Sequence, residues 1–492
     1  MSGSHISPCA NRFLEEEGPD GPADRRQAVG VSRGIGRRSL LRGVCAAAMV
    51  VGSSQVLAAC GTGKGKSAQP ATVAYGTTLV FQPYPFGYPV NTGFKIMQEI
   101  LAPFEQQNKV NVKLELFSST TGNVSALSGG AGPDIFFDQR YSPYLGSGLA
   151  VDLLPLLQQD GIDTSIWSKG LVDYFKQPEG MFATSCTIET MVYLVNLSDF
   201  DTMGISYPDP DWDINTFVSV AKQLKTLPDA SANSQHFGAN FPFQWDYVQN
   251  YQWLFQAFGA SIGDVNGTRC LLGSDAAVSA GNWMFNNLIW DEVAVTRNSS
   301  RLKGQWDAKQ FVAREVSISD HRPIQIVSII PSIPSSVKWQ LYPLPVFPSG
   351  RFNWAAGGLF GINAQTKAKE QAWNLFKFLT VEDSWQQAMI QLNFLGPSKV
   401  SLWDNWQATA LQLAPILKGK GLQYYVDAVQ QGYAYPGMFF KYSDLSITPI
   451  LQAAFDNLVS QSQTSVQAEF QAVADQINKM EQQVTSGSST SA

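Results

Sequence analysis

Histidine is nearly missing from this chain. Three occur in 492 residues, His5, His236 and His321. They lie far apart, with no Cys or carboxylate at metal-ligand spacing, so no zinc motif is present. Isolated histidines of this kind read as core or surface residues rather than catalysts. There is no Gly-x-Ser-x-Gly elbow and no carboxylate pair that stands out, which removes the commoner hydrolase signatures. Charge is also sparse, at 15% of residues against 44% hydrophobic and 12% aromatic, a globular balance rather than a disordered one. Beyond residue 60 the chain holds 27 Lys+Arg against 35 Asp+Glu, a formal charge near −8, with no long basic block. That excludes nucleic acid as the expected partner. No apolar run beyond residue 60 is long enough to span a bilayer, so a soluble body is expected. At this length two domains or lobes are expected rather than one core.

What is there begins with a leader. Residues 1–36 carry no assignable period. Gly36–Gly43, GRRSLLRG, places paired arginines ahead of an apolar run from Val44 to Val56. This is the pattern of a twin-arginine export signal. The run is short and ends in small residues, as a cleaved signal does. Its ending, Leu57-Ala58-Ala59-Cys60, resembles the lipobox of bacterial lipoproteins, which implies that Cys60 is lipidated and becomes the first mature residue. An uncleaved anchor is the alternative, and either leaves the body outside the membrane. Two glycine-rich stretches here are decoys. Gly30–Gly36 lacks the preceding strand that a dinucleotide loop needs. Cys60–Ser67, CGTGKGKS, has Cys60 at the first glycine position of a phosphate loop and reads as part of a tether over residues 61–75. Only Cys186 and Cys270 remain in the body. An extracytoplasmic location permits a disulfide between them, and two buried thiols fit the spacing equally well.

In the body, Gly129–Leu154 is the informative stretch. Glycines and Pro133 read as a turn, Ile135 to Phe137 as a short apolar strand, and Asp138, Gln139, Arg140 and Tyr141 fall at its end. In open α/β sheets ligands bind beyond the carboxyl ends of strands. Upstream, Thr77–Gln82 and Val110–Phe117 read as strands and Lys95–Gln106 as a helix whose face is Ile96, Ile100, Leu101 and Phe104. Downstream, Thr190–Asn196 is strongly β-prone, and Trp212-Asp213 opens a helix to about Lys225. Strand–helix–strand alternation of this spacing predicts parallel, doubly wound sheets. Asp134, after Pro133, is expected to cap the turn.

The order PDI, GLAVDL, GMFAT, YLVN, MGISYP and WDINTFVSVAKQL resembles the extracellular solute-binding proteins of ABC importers, in the large subclass that includes carbohydrate binders. Trp253–Ala260, Leu341–Pro345, Gly357–Ile362, Lys369–Leu379 and Gly396-Pro397 continue the likeness, which spans residues 76–480. One departure is the family's Gly-Lys-Ala-Met strand, replaced between Arg301 and Ser336 by segments that do not align, so ligand contacts from there are left open.

The resemblance implies an α/β, two-lobed periplasmic-binding-protein-like fold of type II, two doubly wound lobes joined by crossover hinges near Cys186–Glu189, Ala356–Leu359 and Gly432–Gly437. Lobe 1 would comprise 76–186 and 359–432, lobe 2 would comprise 187–358 and 437–482, and 483–492 would be a disordered tail. By matched position, Asp138 and Arg140 with Tyr141 would bind ligand hydroxyls, and Glu189 would accept from one. Trp245 and Trp253 would be stacking platforms, Trp354 would face the cleft, and Tyr435 would lie at the third crossover. Tyr84 and Ser119 are weaker candidates. No catalytic residue, cofactor or metal is expected. The partners implied are a sugar or oligosaccharide, a membrane permease, and the membrane itself through lipidated Cys60, with the protein a monomer on the outer face of the cell membrane. Three alternatives remain: another small solute (a polyamine, a metal complex or glycerol phosphate), a secreted glycan hydrolase built on Asp138 and Glu189, and a sensor or adhesin without an importer.

Overall fold

The computed structural model describes residues 75–83, 90–228, 235–240, 249–264, 267–296, 299, 302, 308–435, 444–460 and 465–488. Its first sheet has the order β13-β3-β1-β2. β1 (Thr77–Phe81), β2 (Val110–Leu114) and β3 (Ile135–Asp138) run parallel, and β13 (Leu359–Ile362) returns antiparallel against β3. All four residues of β3 are buried, because the strand is covered on both faces. The helix Val90–Asn108 starts before the expected Lys95. Its inward stripe is Met97, Ile100, Leu101 and Phe104, while Ile96 sits at the margin. β2 ends at Leu114, three residues short of the expected Phe117.

A hairpin of β4 (Lys176–Gln177) and β5 (Gly180–Met181) follows. The second sheet has the order β11-β7-β10-β8-β9. It is built from β7 (Val192–Asn196), β8 (Phe237–Asn240), β9 (Ala294–Val295), β10 (Val316–His321) and β11 (Trp339–Tyr342). β8, β9 and β10 are parallel, and β7 lies antiparallel between β10 and β11. The helix Ile214–Leu224 covers this sheet. Asp213 caps it, accepting the N–H of Thr216 at 2.8 Å, as its position before an amphipathic run leads one to expect. Phe217, Val220, Ala221 and Leu224 then point inward.

A third, three-stranded sheet, β14-β12-β6, joins the two. β6 is Glu189–Thr190, β12 is Asn353–Ala356 and β14 is Ala434–Tyr435. Each belongs to one of the three expected crossovers, so the chain passes side by side through a single hinge. After β12, Gly357 and Gly358 thread a gap that no side chain could enter. A Cβ on Gly357 would stand 2.4 Å from the Thr187 carbonyl oxygen, and one on Gly358 would stand 1.8 Å from the Phe137 ring.

Two apolar cores result: one surrounds the first sheet and continues over one face of the second, through Val192, Leu194, Phe237, Val316 and Leu341, and the other lies between the second sheet's opposite face and the helices Asp275–Met284, Asp444–Ser460 and Val466–Ser488. Residues 417–425, expected in lobe 1, pack in the first of these and also reach the second sheet. Leu341 donates its N–H to the Lys420 carbonyl at 2.9 Å, while Trp406 Nε1 of the preceding helix donates to the Phe394 carbonyl at 2.8 Å. The last helix runs to Ser488, into the segment expected as tail.

Candidate ligand-binding cleft

β1, β2 and β3 run parallel and end along one edge of the first sheet, and β8, β9 and β10 end along one edge of the second, where β7 starts. Asp138 closes β3, and the structure corrects its expected role as a ligand contact. It is fully buried inside a cage of donors. Thr120 Oγ1 and the N–H groups of Gln139 and Arg140 donate to Oδ1 at 2.6, 2.7 and 3.1 Å. Asn123 Nδ2 donates to Oδ2 at 3.1 Å, as does the Tyr144 hydroxyl. Five donors fill the carboxylate's capacity of about four lone-pair sites. Burial raises its pKa, and the hydrogen bonds, led by Thr120, oppose that. Asp138 therefore fixes the strand-end loop.

Tyr141 is corrected in the same way. It is buried against Phe175, donates its hydroxyl to the Phe175 carbonyl at 2.7 Å and accepts the Phe182 N–H at 3.1 Å, and burial pushes its phenol above the ordinary range. Asp134 does not cap a turn. One of its oxygens accepts the Val80 N–H at 2.8 Å and the other the Thr366 hydroxyl, pinning β1 to the segment after β13. Ser119 is exposed and caps the helix Thr120–Ser128, accepting from Gly122 N at 3.0 Å. Arg140 is half-buried, and its Nη1 donates to Thr448 Oγ1 of the helix Asp444–Ser460 at 3.1 Å.

The hinge carries a second group of polar side chains. Glu189 of β6 accepts the N–H of Ile324 and the N–H of Gly396, each at 3.4 Å, from opposite sides. Burial lifts its pKa to about 7 against the opposing pull of Arg322. Trp354 of β12 is 7% exposed, and the Arg322 guanidinium lies 4.5 Å from its ring centroid, a cation–π stack. Arg322 follows β10 directly and stands 3.7 Å from the buried carboxylate of Asp320. His321, between them, pairs through Nδ1 with the Tyr425 hydroxyl at 2.6 Å. Burial pushes its pKa down to about 3, so it is neutral. A guanidinium on an indole, flanked by carboxylates, sits where the second sheet's strand end meets the hinge. All four groups are buried in this structure, and together they combine an apolar face with charged donors and acceptors, the groups that polar-ligand sites use.

The model of the bacterial extracellular solute-binding protein family matches residues 99–415. The chain belongs to this family. Among solved structures, the ABC substrate-binding protein Lmo0181 of Listeria monocytogenes in complex with cycloalternan superposes with a TM-score of 0.65 at 18% identity, covering 82% of this chain and 98% of that one. The GacH receptor of Streptomyces glaucescens, solved unliganded and with acarbose, gives 0.61 at 14% identity, covering 82% and 98%. UgpB of Mycobacterium tuberculosis with glycerophosphocholine gives 0.61 at 17% identity, covering 83% and 99%. These likenesses carry the two-lobed fold. No curated protein matches the chain.

The remaining candidates of this solute-binding protein divide. Trp253 is no stacking platform, because its ring is fully buried in the second core, edge-on to Phe347 at 5.5 Å. Tyr84 and Trp245 lie outside the described residues, as does the side chain of Tyr435, whose backbone is in β14. So does Cys60. Cys186 and Cys270 are free and buried in different cores, so they do not pair. Among the described residues no group of three or more His, Cys, Asp or Glu could hold a metal, and no helix is long and apolar enough to cross a membrane.

Sequence reasoning missed Arg322 and Asp320. The signal was present: Val316–Ser319 alternates into Asp320-His321-Arg322, the same strand-end pattern as Ile135–Phe137 into Asp138-Gln139-Arg140.

Proposed function

We propose that this chain is the receptor of an ABC importer and captures a sugar or oligosaccharide in the cleft beside its hinge sheet. The observation that supports this most is the Trp354–Arg322–Glu189 group, an aromatic face with donor and acceptor side by side. Sugar rings present CH faces to aromatics and hydroxyls to charged groups, and the ligands of two fold neighbours, cycloalternan and acarbose, are oligosaccharide-like. Closure of the two lobes traps ligand because contacts from the second lobe are made only in the closed form. In this reading Arg140 and Ser119 line the first lobe's rim, and Trp245, Tyr84 and Tyr435 belong to the loops that complete the site. The protein is a monomer exported by its twin-arginine leader, tethered through lipidated Cys60 and delivering its ligand to a permease.

The hydrolase reading is disfavoured by Asp138. A carboxylate caged by five donors cannot serve as nucleophile or general acid, which leaves Glu189 without the partner that glycoside hydrolysis needs. A glycerophosphodiester is the second reading, favoured by arginines at two strand ends and by UgpB among the fold neighbours. A thermal-shift screen of the protein from residue 61 onward separates the two. Ligand at 100 times its Kd stabilises by about 2.7 kcal/mol. Neutral oligosaccharides are expected to raise Tm. A shift with glycerophosphocholine or a polyamine and none with any saccharide would refute the sugar reading. Mass spectrometry of membrane-extracted protein tests the anchor: a diacylated N-terminal Cys60 is expected, and an intact leader refutes it.

A further inference from the structure

Arg140 and Thr448 belong to different cores. Arg140 follows β3 and precedes Tyr141 of the first core. Thr448 follows Ile447 of the second, on the helix Asp444–Ser460. Their side chains meet at 3.1 Å, guanidinium to hydroxyl, over a sequence separation of 308 residues. Arg140 is moreover held in place from behind. Asp138 accepts the N–H of both Gln139 and Arg140, and Asp138 is itself fixed by Thr120, Asn123 and Tyr144. A long side chain whose backbone is clamped loses less freedom on reaching a partner than one on a free loop.

We propose that Arg140 and Thr448 form a latch between the lobes, with Asp138 as its positioning residue. The latch acts without ligand. It favours the closed form by a bond that opening must break, and so raises the fraction of molecules already competent to hold a ligand. A charge-assisted hydrogen bond at a partly exposed position is worth about 1 kcal/mol, which corresponds to roughly fivefold in an equilibrium. This inference rests on the two-lobed fold and is independent of what the cleft binds.

The test is interlobe energy transfer in the full chain without ligand. Azidophenylalanine replaces the exposed Lys113 of β2 and the exposed Lys222 of the helix Ile214–Leu224, and carries donor and acceptor dyes. Thr448→Val keeps the shape and removes the hydroxyl. It is expected to raise the open-to-closed ratio about fivefold, while Thr448→Ser, which keeps the hydroxyl, stays at the parent ratio. Arg140→Gln reports from the other side should Thr448→Val fail to fold, and is expected to open the lobes to the same extent. Unchanged transfer in Thr448→Val or Arg140→Gln overturns the latch, as does a Thr448→Ser variant that opens like Thr448→Val.

Discussion

Removing the Asp138 carboxylate separates a ligand contact from a structural post. In Asp138→Ala five donors lose their acceptor at once. The two backbone N–H groups and the half-buried Thr120 hydroxyl lie near the surface and turn to water at small cost. The Tyr144 hydroxyl and Asn123 amide are buried, and a buried donor left unmade costs about 1–3 kcal/mol. Asn123 keeps a bond of 2.6 Å to the Phe137 carbonyl, which puts it at the low end. Against these losses, the burial cost that raises the Asp138 pKa disappears with the charge. The balance is a loss of about 1–4 kcal/mol. At about 2–4 °C per kcal/mol for a unit this large, Tm falls by roughly 2–15 °C. Scanning calorimetry on Asp138→Ala and Asp138→Asn, each beside the parent, measures it. The asparagine variant keeps the shape and one acceptor, so its loss is the smaller. An alanine variant that melts with the parent yet no longer binds ligand would refute the cage and restore Asp138 as a ligand contact.

Other outcomes follow from the same structure. Trp253→Ala should cost about 3–5 kcal/mol, as truncation of a fully buried indole does, and lower Tm rather than ligand affinity at temperatures where the variant is folded. Trp354→Ala and Arg322→Ala should weaken ligand binding by isothermal calorimetry at least tenfold, and a change below twofold for both would remove the hinge group from the site. Glu189 has its pKa raised by burial to about 7 from an ordinary 4.5, so the folded state holds more protons than the unfolded chain between those values, and its contribution to stability falls as pH rises from about 4.5 to about 7. His321, lowered to about 3, contributes the opposite slope below its ordinary 6.5. The difference in Tm between parent and Glu189→Gln isolates Glu189: the variant should gain on the parent as pH climbs through that window, and a flat difference would contradict it. Cys186 and Cys270 should resist thiol reagents in the native protein, since burial lifts their pKa values to about 12 and about 11, and both should react once the chain is unfolded. Their recovery as one disulfide would refute the separate cores.

The strands, and the helix start at Asp213, were legible because their causes are local. Ile135-Phe136-Phe137 is apolar whatever surrounds it, and Asp213 needs only the Thr216 N–H three residues on. The roles of Asp138 and Trp253 were not, because their surroundings come from elsewhere in the chain. Asp138 is caged by Thr120, Asn123 and Tyr144, which only the crossover from β2 to β3 and the following turn bring together. Trp253 has the same composition signal as a cleft aromatic and is assigned to the core by Phe347, nearly a hundred residues away. Arg322 lay hidden for another reason. The segment around it departs from the family pattern, and positional matching stops where the pattern stops, although the strand-end rule applied to β3 would have reached it.

The hinge sheet has a mechanical consequence. Among the described residues, β14 pairs with Asn353 and Trp354, and β6 with Ala355 and Ala356. Among the described residues, no position of β12 has strands on both sides. Over the described residues the joint is two narrow straps in series, which meet between Trp354 and Ala355. A rotation of the lobes divides between the two straps, each bending through part of the angle. The indole stacked under Arg322 is mounted on the last residue of one strap, so swinging the lobes also turns the ring.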